Sequence, residues 1–214
     1  NNFHSYIDKT PSEVEVICVV GAYHGLEINK LLRNYANANI YAFEAYPPHF
    51  EVLSSNFANN SRVKLFNKAV TSKNEKVDFF QLTVEGNGSI LPFQGDKFDG
   101  CEEGVTISET IKVDSVALRD VMGEQDIDLL WVDVQGAELE VLKGVNLQKC
   151  KSLFLEIHTH EYRVLANKEP YKGQCYKEDL EDYLFTHTLY SMGLDNANGN
   201  GQGNSFWILN EKNR

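Results

Sequence analysis

Runs of apolar residues alternate with polar, turn-forming segments along most of the chain. Residues 14–20 form a β-branched run that stops at Gly21, as a buried strand stops at a turn. After Gly25 the apolar residues recur at the i, i+3, i+4 and i+7 spacing of one helical face: Ile28, Leu31, Leu32 and Tyr35. The pattern predicts a buried strand followed by an amphipathic helix.

The same order of elements repeats in the next part of the chain. Residues 40–44 predict a second strand, Pro47 opens a helix, and residues 63–70 predict a third strand. Short links between these elements indicate a parallel sheet that is covered on both faces and joined by right-handed crossovers. We therefore expect a doubly wound α/β fold.

Between residues 75 and 113 the periodicity weakens, and glycines interrupt it. We expect an irregular insertion there, near the functional site, with one candidate strand at residues 76–82. Regular alternation then resumes, with strands expected at residues 127–132 and 152–157 and helices at residues 136–143 and around Leu180.

The chain ends with two apolar segments, residues 187–192 and 205–209, connected by a turn rich in glycine and asparagine. Two strands joined only by such a turn are expected to be antiparallel. The whole pattern predicts one domain over residues 1–214, with its core at residues 14–160. Because the chain starts at Asn1 without an initiator methionine, a segment cut from a longer protein is also an open interpretation.

Composition and charge narrow the classes of function. Of the 214 residues, 42% are hydrophobic and 24% charged, which is typical of a globular protein, and no apolar run approaches a membrane span. The formal net charge of −11 repels a polyanion, so nucleic acid is not expected as a partner. Four scattered cysteines without a CxxC pair favour reduced thiols and a cytoplasmic location: Cys18, Cys101, Cys150 and Cys175.

The most informative segment is the turn between the first strand and its helix, VGAYHG at residues 20–25. Glycine permits a tight turn and a close approach of a ligand to the backbone, and the free amides of a helix start favour polar groups. The spacing from Gly21 to Gly25 lacks the central glycine of the dinucleotide fingerprint. The segment indicates a cofactor cradle, with an ordinary turn as the alternative.

Glu44 ends the second predicted strand. In a parallel sheet its carboxylate should lie beside the Gly21 turn, where it can accept hydrogen bonds from both hydroxyls of a ribose. A cofactor with a pyrophosphate normally requires the central glycine that is absent between Gly21 and Gly25. S-adenosylmethionine (SAM) has a ribose and no phosphate, so this methyl donor is favoured. The alternative is that Glu44 caps the helix at Pro47 or is solvated.

Asp133 and His158 end two later strands, on the side of the sheet where doubly wound folds place ligands. Asp133 could orient the donor's ammonium group, hold a cation, receive the substrate proton or simply cap the next helix. His158 is the first candidate for a general base, because an imidazole with a pKa of about 6.5 suits deprotonation of an alcohol. His160 and Glu161 are its rivals, together with Asp133.

Metal binding is undecided by the sequence. Asp133, Glu156, His158 and Glu161 offer the oxygen and nitrogen atoms that a magnesium-like ion accepts, but nothing in their spacing requires one. Whether the protein uses a divalent cation as a cofactor is therefore left open, and no residue is assigned as a metal ligand. Glu138 is expected to interact with the macrodipole of the next helix and not to bind a ligand.

Six segments resemble, in order, the FkbM-type SAM-dependent methyltransferases. The most specific are WVDVQGAE at residues 131–138 and LKG at residues 142–144. The others are VGAYHG at residues 20–25, FEAYP at residues 43–47, VDS at residues 113–115 and LEIH at residues 155–158. The resemblance covers about residues 14–160.

The resemblance implies a class I methyltransferase fold, which is Rossmann-like and has a seven-stranded sheet with an antiparallel last strand. It also implies O-methylation of sugar or polyketide hydroxyls. Donor contacts are implied at the motif positions and in a small polar loop: Gly21, Ala22, Tyr23, Gly25, Glu44, Ala45, Ser89 and Asp133. The sequence departs from the usual family pattern at four positions: Val19, Tyr23, Trp131 and Gln135.

The leading prediction is a SAM-dependent O-methyltransferase that acts on a hydroxyl of a sugar or glycan. Because of the departures, a non-catalytic donor-binding module descended from a methyltransferase is one alternative. A NAD-dependent oxidoreductase is another, since that class shares the strand, the glycine turn and the ribose acid. The stretch after His158 can form an acceptor wall in such a fold, although Tyr171 and Tyr176 could equally be core or surface residues. The candidates are Tyr162, Arg163, Tyr171 and Tyr176.

Overall fold

The computed structural model of the protein describes residues 7, 9–95, 104–158, 169–187, 190–195 and 202–209. The first half contains β1 (Val16–Val20), α1 (Leu26–Asn34), β2 (Asn39–Phe43), α2 (Pro47–Phe57), β3 (Val63–Phe66), β4 (Ala69–Val70) and β5 (Lys76–Leu82). The second half contains β6 (Ile107–Val116), α3 (Leu118–Met122), β7 (Leu129–Val132), α4 (Glu138–Lys143), β8 (Ser152–His158), α5 (Lys177–His187), β9 (Tyr190–Asp195) and β10 (Gln202–Leu209).

Seven of these strands form the main sheet, in the order β3-β2-β1-β7-β8-β10-β9. The pairs from β3 to β8 are parallel, and β10 is antiparallel to both of its neighbours. This arrangement confirms the predicted class I methyltransferase architecture and its antiparallel last strand. The chain order reverses at β1, between β2 and β7, and ligands of doubly wound sheets bind beside that switch point.

The first strand shows why both faces of the sheet must be covered. Ile17 and Val19 join one apolar cluster, and Cys18 and Val20 join another on the opposite face. Helices α1 and α2 supply the first cluster with Ile28, Leu31, Leu53 and Phe57. Helices α3, α4 and α5 supply the second with Leu118, Val141, Leu142, Leu180 and Leu184. A continuous apolar strand therefore fits a position buried on both sides.

The predicted third strand at residues 63–70 is wrong as one element, because the chain leaves the main sheet after Phe66. The Asn67 side-chain amide donates to the backbone oxygens of Glu44 (2.9 Å) and Ala45 (3.2 Å). The next two residues form β4, which pairs with β6 instead. The break places the β3–β4 connection against the end of β2.

The expectation of an irregular insertion at residues 75–113 is only partly right. Strands β5 and β6 pair as an antiparallel ribbon and, with β4, form a second sheet of three strands. The first part of β6, residues 107–110, faces solvent on both sides, so the alternation that reveals a half-buried strand is confined to its second part, where Val113 and Ser115 are buried. Residues 96–103 lie outside the described part of the chain.

The predicted start of the penultimate strand at residue 187 is also wrong, because α5 continues to His187 and β9 begins at Tyr190. None of the helices in the described ranges is long and apolar enough to cross a membrane. Cys18, Cys150 and Cys175 are free and buried, while Cys101 lies outside the described residues.

Candidate active site

A pocket opens at the switch point, where the carboxyl ends of β1, β2 and β7 meet. Residues of the loop after β5 also line it. Six of the sequence-predicted donor residues line this pocket: Gly21, Tyr23, Glu44, Ala45, Ser89 and Asp133. The fold therefore brings together residues that lie more than 100 positions apart in the chain.

The glycine turn is fixed by close backbone contacts. The backbone amides of Gly21 and Ala22 both donate to the Phe43 carbonyl oxygen at 3.0 Å. Gly21 has φ +82°, and a Cβ atom there would lie 1.8 Å from the backbone oxygen of Asp133. Only glycine allows β1, β2 and β7 to converge this closely.

Glu44 lies at the glycine turn and is held by two backbone amides. Tyr23 donates to its Oε2 atom at 2.9 Å, and Tyr46 donates to its Oε1 atom at 2.8 Å. The residue is only 6% exposed, and burial raises the pKa of the carboxyl while the amide hydrogen bonds oppose that shift. A carboxylate oxygen has more than one lone pair, so Glu44 can still accept hydroxyl groups from a ligand in the pocket.

Aromatic rings gather at this end of the pocket, and of the rings described below only Tyr23 was predicted from the sequence. The Tyr23 ring stacks on His24, with 3.8 Å between centroids. The His49 ring meets Tyr23 and Tyr46 edge-on, at 4.6 and 4.8 Å. Burial lowers the pKa of His49, which favours the neutral imidazole. The signal available in the sequence was the position of His49 in the first turn of α2, five residues after Glu44.

Two predicted donor residues shape the turn and do not line the pocket. Ala22 is 3% exposed and belongs to the apolar cluster beneath the turn. Gly25 has φ +88° and precedes α1, and a Cβ atom there would lie 2.2 Å from the Phe57 ring. Both residues therefore position the turn through packing.

The Ser89 loop is tied to the end of β7. The Ser89 hydroxyl donates to the Val134 backbone oxygen at 3.3 Å and accepts from the Leu91 amide at 3.1 Å. The Tyr171 hydroxyl donates to the Asn87 backbone oxygen at 2.7 Å. Tyr171 is therefore a buried support of this loop.

Asp133 and Glu156 lie side by side at the ends of β7 and β8. Their neighbours Val132 and Leu155 are paired in the sheet. The Gln135 side-chain amide donates to Asp133 Oδ1 at 2.7 Å and to Glu156 Oε2 at 3.1 Å. Burial raises the pKa of both carboxyl groups, that of Glu156 to about 9 with the Asp133 charge as a further cause. Gln135 thus bridges two acids that favour the protonated form.

Glu138 is buried beneath the same loop, which the sequence analysis did not expect. Its Oε1 atom accepts from the backbone amides of Val134 (3.3 Å) and Gly136 (3.2 Å), and its Oε2 atom accepts from the Cys175 thiol (3.4 Å). Burial raises the pKa of Glu138 to about 7. The residue holds the loop between β7 and α4 in shape, beyond any interaction with the helix dipole.

His158 ends β8 but is not among the residues that line the pocket. It is 6% exposed, and burial lowers the pKa of its imidazole to about 4. Its role as general base stays a prediction. Its rivals His160 and Glu161 lie outside the described residues, as do the acceptor-wall candidates Tyr162 and Arg163.

Comparison with known proteins identifies the family. A family model described as a methyltransferase FkbM domain matches residues 20–190. The chain belongs to the FkbM methyltransferase family. The resemblance carried by the sequence motifs is thereby confirmed.

Individual relatives of this FkbM methyltransferase agree with that assignment. The 2-O-methyltransferase NoeI of Sinorhizobium fredii is 28% identical over 186 residues, which cover 79% of this chain and 70% of NoeI. The crystal structure of the O-methyltransferase TomG of Streptomyces achromogenes, in complex with SAM, superimposes with a TM-score of 0.56. It is 11% identical and covers 92% of this chain and 74% of TomG.

The FkbM methyltransferase also shares its fold with a solved structure that is named as an rRNA methylase. An rRNA methylase of Streptococcus thermophilus superimposes with a TM-score of 0.53 at 10% identity, covering 96% of this chain and 93% of that protein. At such low identity the similarity shows the fold alone. Exclusion of nucleic acid therefore stays a prediction.

The described part of this FkbM methyltransferase contains no group of three or more histidine, cysteine or acidic side chains placed to hold a metal ion. Asp133 and Glu156 are adjacent, but Gln135 occupies the space that joins them. No described residue is assigned as a metal ligand.

Proposed function

We propose that this protein is a SAM-dependent O-methyltransferase that acts on a hydroxyl of a sugar or glycan. The observation that carries the proposal is the position of Glu44, whose carboxylate is fixed by the Tyr23 and Tyr46 amides inside the pocket. An acid at the end of the second strand, beside a glycine turn, suits the two hydroxyls of a ribose.

The chemistry of the pocket residues fits this donor. Gly21 has no side chain, and any Cβ atom there would collide with the Asp133 backbone at the edge of the pocket. Glu44 would hold the ribose. Tyr23, Ala45 and Ser89 would line the donor, and Asp133, which also lines the pocket, would supply a counter-charge for a cation. When bound, SAM supplies an electrophilic methyl group on a positively charged sulfur. Ala22 and Gly25 would support the donor site through the shape of the turn.

The protein's own contribution would be alignment and proton removal. Alignment of the reacting groups can lower a barrier by roughly 7–11 kcal/mol, and a general base contributes about 10²- to 10⁴-fold. Asp133 is our first candidate for the base because it lines the pocket. His158 is the second, since its burial and lowered pKa make it a weaker base.

A sugar or glycan hydroxyl is proposed as the acceptor on two grounds. NoeI is named as a 2-O-methyltransferase, and the family resemblance implies hydroxyl acceptors. The net charge of −11 disfavours a nucleic-acid acceptor. We further propose that the chain acts as one methyltransferase domain. From the free, buried state of the three cysteines in the described residues we also propose that its setting is cytoplasmic.

The first test is calorimetric titration with SAM, comparing the wild type with Glu44→Ala. Hydrogen bonds to a charged group contribute about 1.5–3 kcal/mol, so we expect SAM affinity to fall roughly 10- to 100-fold. Glu51→Ala, an exposed change on the adjacent helix, is the matched control and should bind like the wild type. Unchanged affinity of Glu44→Ala would disprove the placement of the ribose.

The second test is mass spectrometry of a glycan library incubated with isotopically labelled SAM, with and without a chelator. Gain of one labelled methyl group would establish the reaction class, and its loss with chelator would establish a metal. SAM binding without turnover across the library would favour the non-catalytic module. Binding of NADH without binding of SAM would favour the oxidoreductase.

A further inference from the structure

The described part of the pocket carries more acidic than basic groups. Three carboxyl groups line it, from α1, the end of β2 and the end of β7: Glu27, Glu44 and Asp133. The basic groups along the same wall are Lys68 and the imidazole of His49, whose pKa is lowered. Such a pocket favours a cationic ligand.

The acids closest to one another are Asp133 and Glu156. They occupy equivalent positions at the ends of paired strands, and one Gln135 amide touches both. Gln135 itself has φ +55°, a backbone conformation that is uncommon for a residue with a side chain. The Gln135 contact to both carboxyl groups therefore requires an unfavourable backbone conformation in the loop. This contact holds the two carboxyl groups together.

Two adjacent carboxyl groups in a partly desolvated site do not both ionise easily. When one is charged, the other retains its proton, and the pair shares that proton. The charged groups that face the pair from other elements are also acidic. Glu27 on α1 and Glu138 on α4 both disfavour a second negative charge, and Asp133 and Glu44 repel each other. Lys68 and His49 are the basic groups that line the same pocket.

A bound cation reverses this balance. SAM carries a positive sulfonium and an ammonium group, and both favour a negative charge on a carboxyl group nearby. Because Asp133 lines the pocket and Glu156 stands behind it, the pair would respond as a unit.

We propose that Glu156 is a positioning residue, and that donor binding expels the proton that it shares with Asp133. This inference rests on the proposed function. The expelled proton goes to solvent and leaves Asp133 as a carboxylate at the pocket wall. In the transfer, the acceptor oxygen bonds to the methyl carbon and the C–S electrons return to sulfur. The hydroxyl proton then passes to Asp133, which restores the singly protonated pair.

The test is isothermal titration of SAM into the intact chain at pH 7.5 in phosphate and in Tris, whose ionisation enthalpies differ. The difference in heat counts the protons exchanged. We expect the wild type to release about one proton more than Glu156→Gln, because the variant has no shared proton to lose. Glu124→Gln, whose side chain is 91% exposed, is the matched control and should behave like the wild type.

The pH profile of affinity gives a second readout that a merely structural role would not move. Wild-type SAM affinity should rise up to about tenfold per pH unit wherever the free pair still holds its proton, while the Glu156→Gln profile should be flatter by that amount. Equal proton counts and parallel profiles for the two proteins would overturn the proposal. Absence of any SAM binding would instead overturn the proposed function.

Infrared spectroscopy tests the pair without donor or acceptor. In the difference spectrum between the free wild type and Glu156→Gln, a protonated-carboxyl C=O band of the pair should appear at neutral pH and disappear when SAM is added to the wild type. The band of Glu138, whose pKa is about 7, is common to both proteins and cancels in the difference. If Glu156→Gln does not fold, Gln135→Ala serves instead. That variant loses a donor to both carboxylates, so its band should persist to higher pH than in the wild type. Absence of the band from the free wild type would also overturn the proposal.

Discussion

At the scale of single residues, the shape of the pocket depends on Gly21. Its positive φ could be tolerated by a few other residues at a modest cost, but the space for a Cβ atom could not be created without moving β7. The Asp133 backbone oxygen stands where that atom would be. The absence of a side chain at this position therefore allows the ends of three strands to meet at the pocket.

We predict that Gly21→Ala destabilises the protein and abolishes SAM binding. Gly173→Ala is the matched control, because Gly173 has a similar φ of +78° with nothing within 4 Å of its Cβ position. The control should lose about 1–2 kcal/mol for backbone strain alone, and Gly21→Ala should lose clearly more. Urea unfolding and SAM titration measure both effects. Equal losses in the two variants would mean that the clash relaxes freely.

At the scale of elements, the connection from β7 to α4 is the most specialised part of the chain. Gln135 and Gly136 have φ values of +55° and +93°, and Glu138 turns back to accept hydrogen bonds from the loop's own amides. The segment at residues 171–176 covers this loop, with Cys175 donating to Glu138. Three acids are thereby held close together: Asp133, Glu138 and Glu156.

We predict that the contribution of Glu138 to stability falls as the pH rises from about 4.5 to about 7, because Glu138 must then lose a proton. His158 acts in the opposite direction, since its folded pKa of about 4 lies below its ordinary 6.5, so the prediction concerns the difference between the wild type and Glu138→Gln. The folded pKa of Glu138, about 7, lies above its unfolded value of 4.5, so its stabilising protonation is complete below 4.5 and lost through 7. The contribution is on the order of 3 kcal/mol.

Urea unfolding at several pH values checks this prediction against Glu138→Gln. The glutamine oxygen can still accept the two loop amides and carries no charge, so the stability of the variant relative to the wild type should rise across this range by on the order of 3 kcal/mol. The Asp133–Glu156 pair remains in both proteins and accounts for any decline at higher pH. Parallel pH profiles would show that Glu138 is not protonated in the folded state.

At the scale of the whole molecule, different parts of the sheet provide stability and form the pocket. Its two faces bury the apolar clusters that stabilise the fold, and the carboxyl ends of its parallel strands carry the polar residues of the pocket. The net charge of −11 then acts on anything that approaches. The fold itself is shared with an rRNA methylase, so topology alone does not decide the acceptor.

We predict that the protein does not bind RNA at physiological ionic strength. Fluorescence anisotropy with a labelled structured RNA, at about 150 mM and about 20 mM salt, measures this directly. Protein–nucleic acid affinity arises largely from phosphate contacts and release of counterions, and an acidic protein gains little from either. Micromolar binding that weakens steeply with salt would show a local basic surface and would reopen nucleic acid as an acceptor.

The sequence by itself determined the frame of the molecule. Strands buried on both faces must be apolar throughout, so β1 and β7 were legible as continuous runs, and glycine with Glu44 marked the switch point. Strand β6 was not predicted, because the solvent-facing side chains of its first part show no alternation of apolar and polar residues. Residues 63–70 form two strands instead of one, because the Asn67 side chain donates a hydrogen bond to the backbone at the end of β2.

Only the tertiary structure decided the electrostatics of the site. The contact between Asp133 and Glu156 depends on the register of two strands, and the burial of Glu138 depends on a segment more than 30 residues later. His158 shares a strand end with these acids yet lies away from the pocket lining. Local periodicity reports which face of an element is buried, because that choice repeats every few residues. The protonation of a carboxyl group depends on neighbours brought close by the whole fold, and nothing in its own segment encodes them.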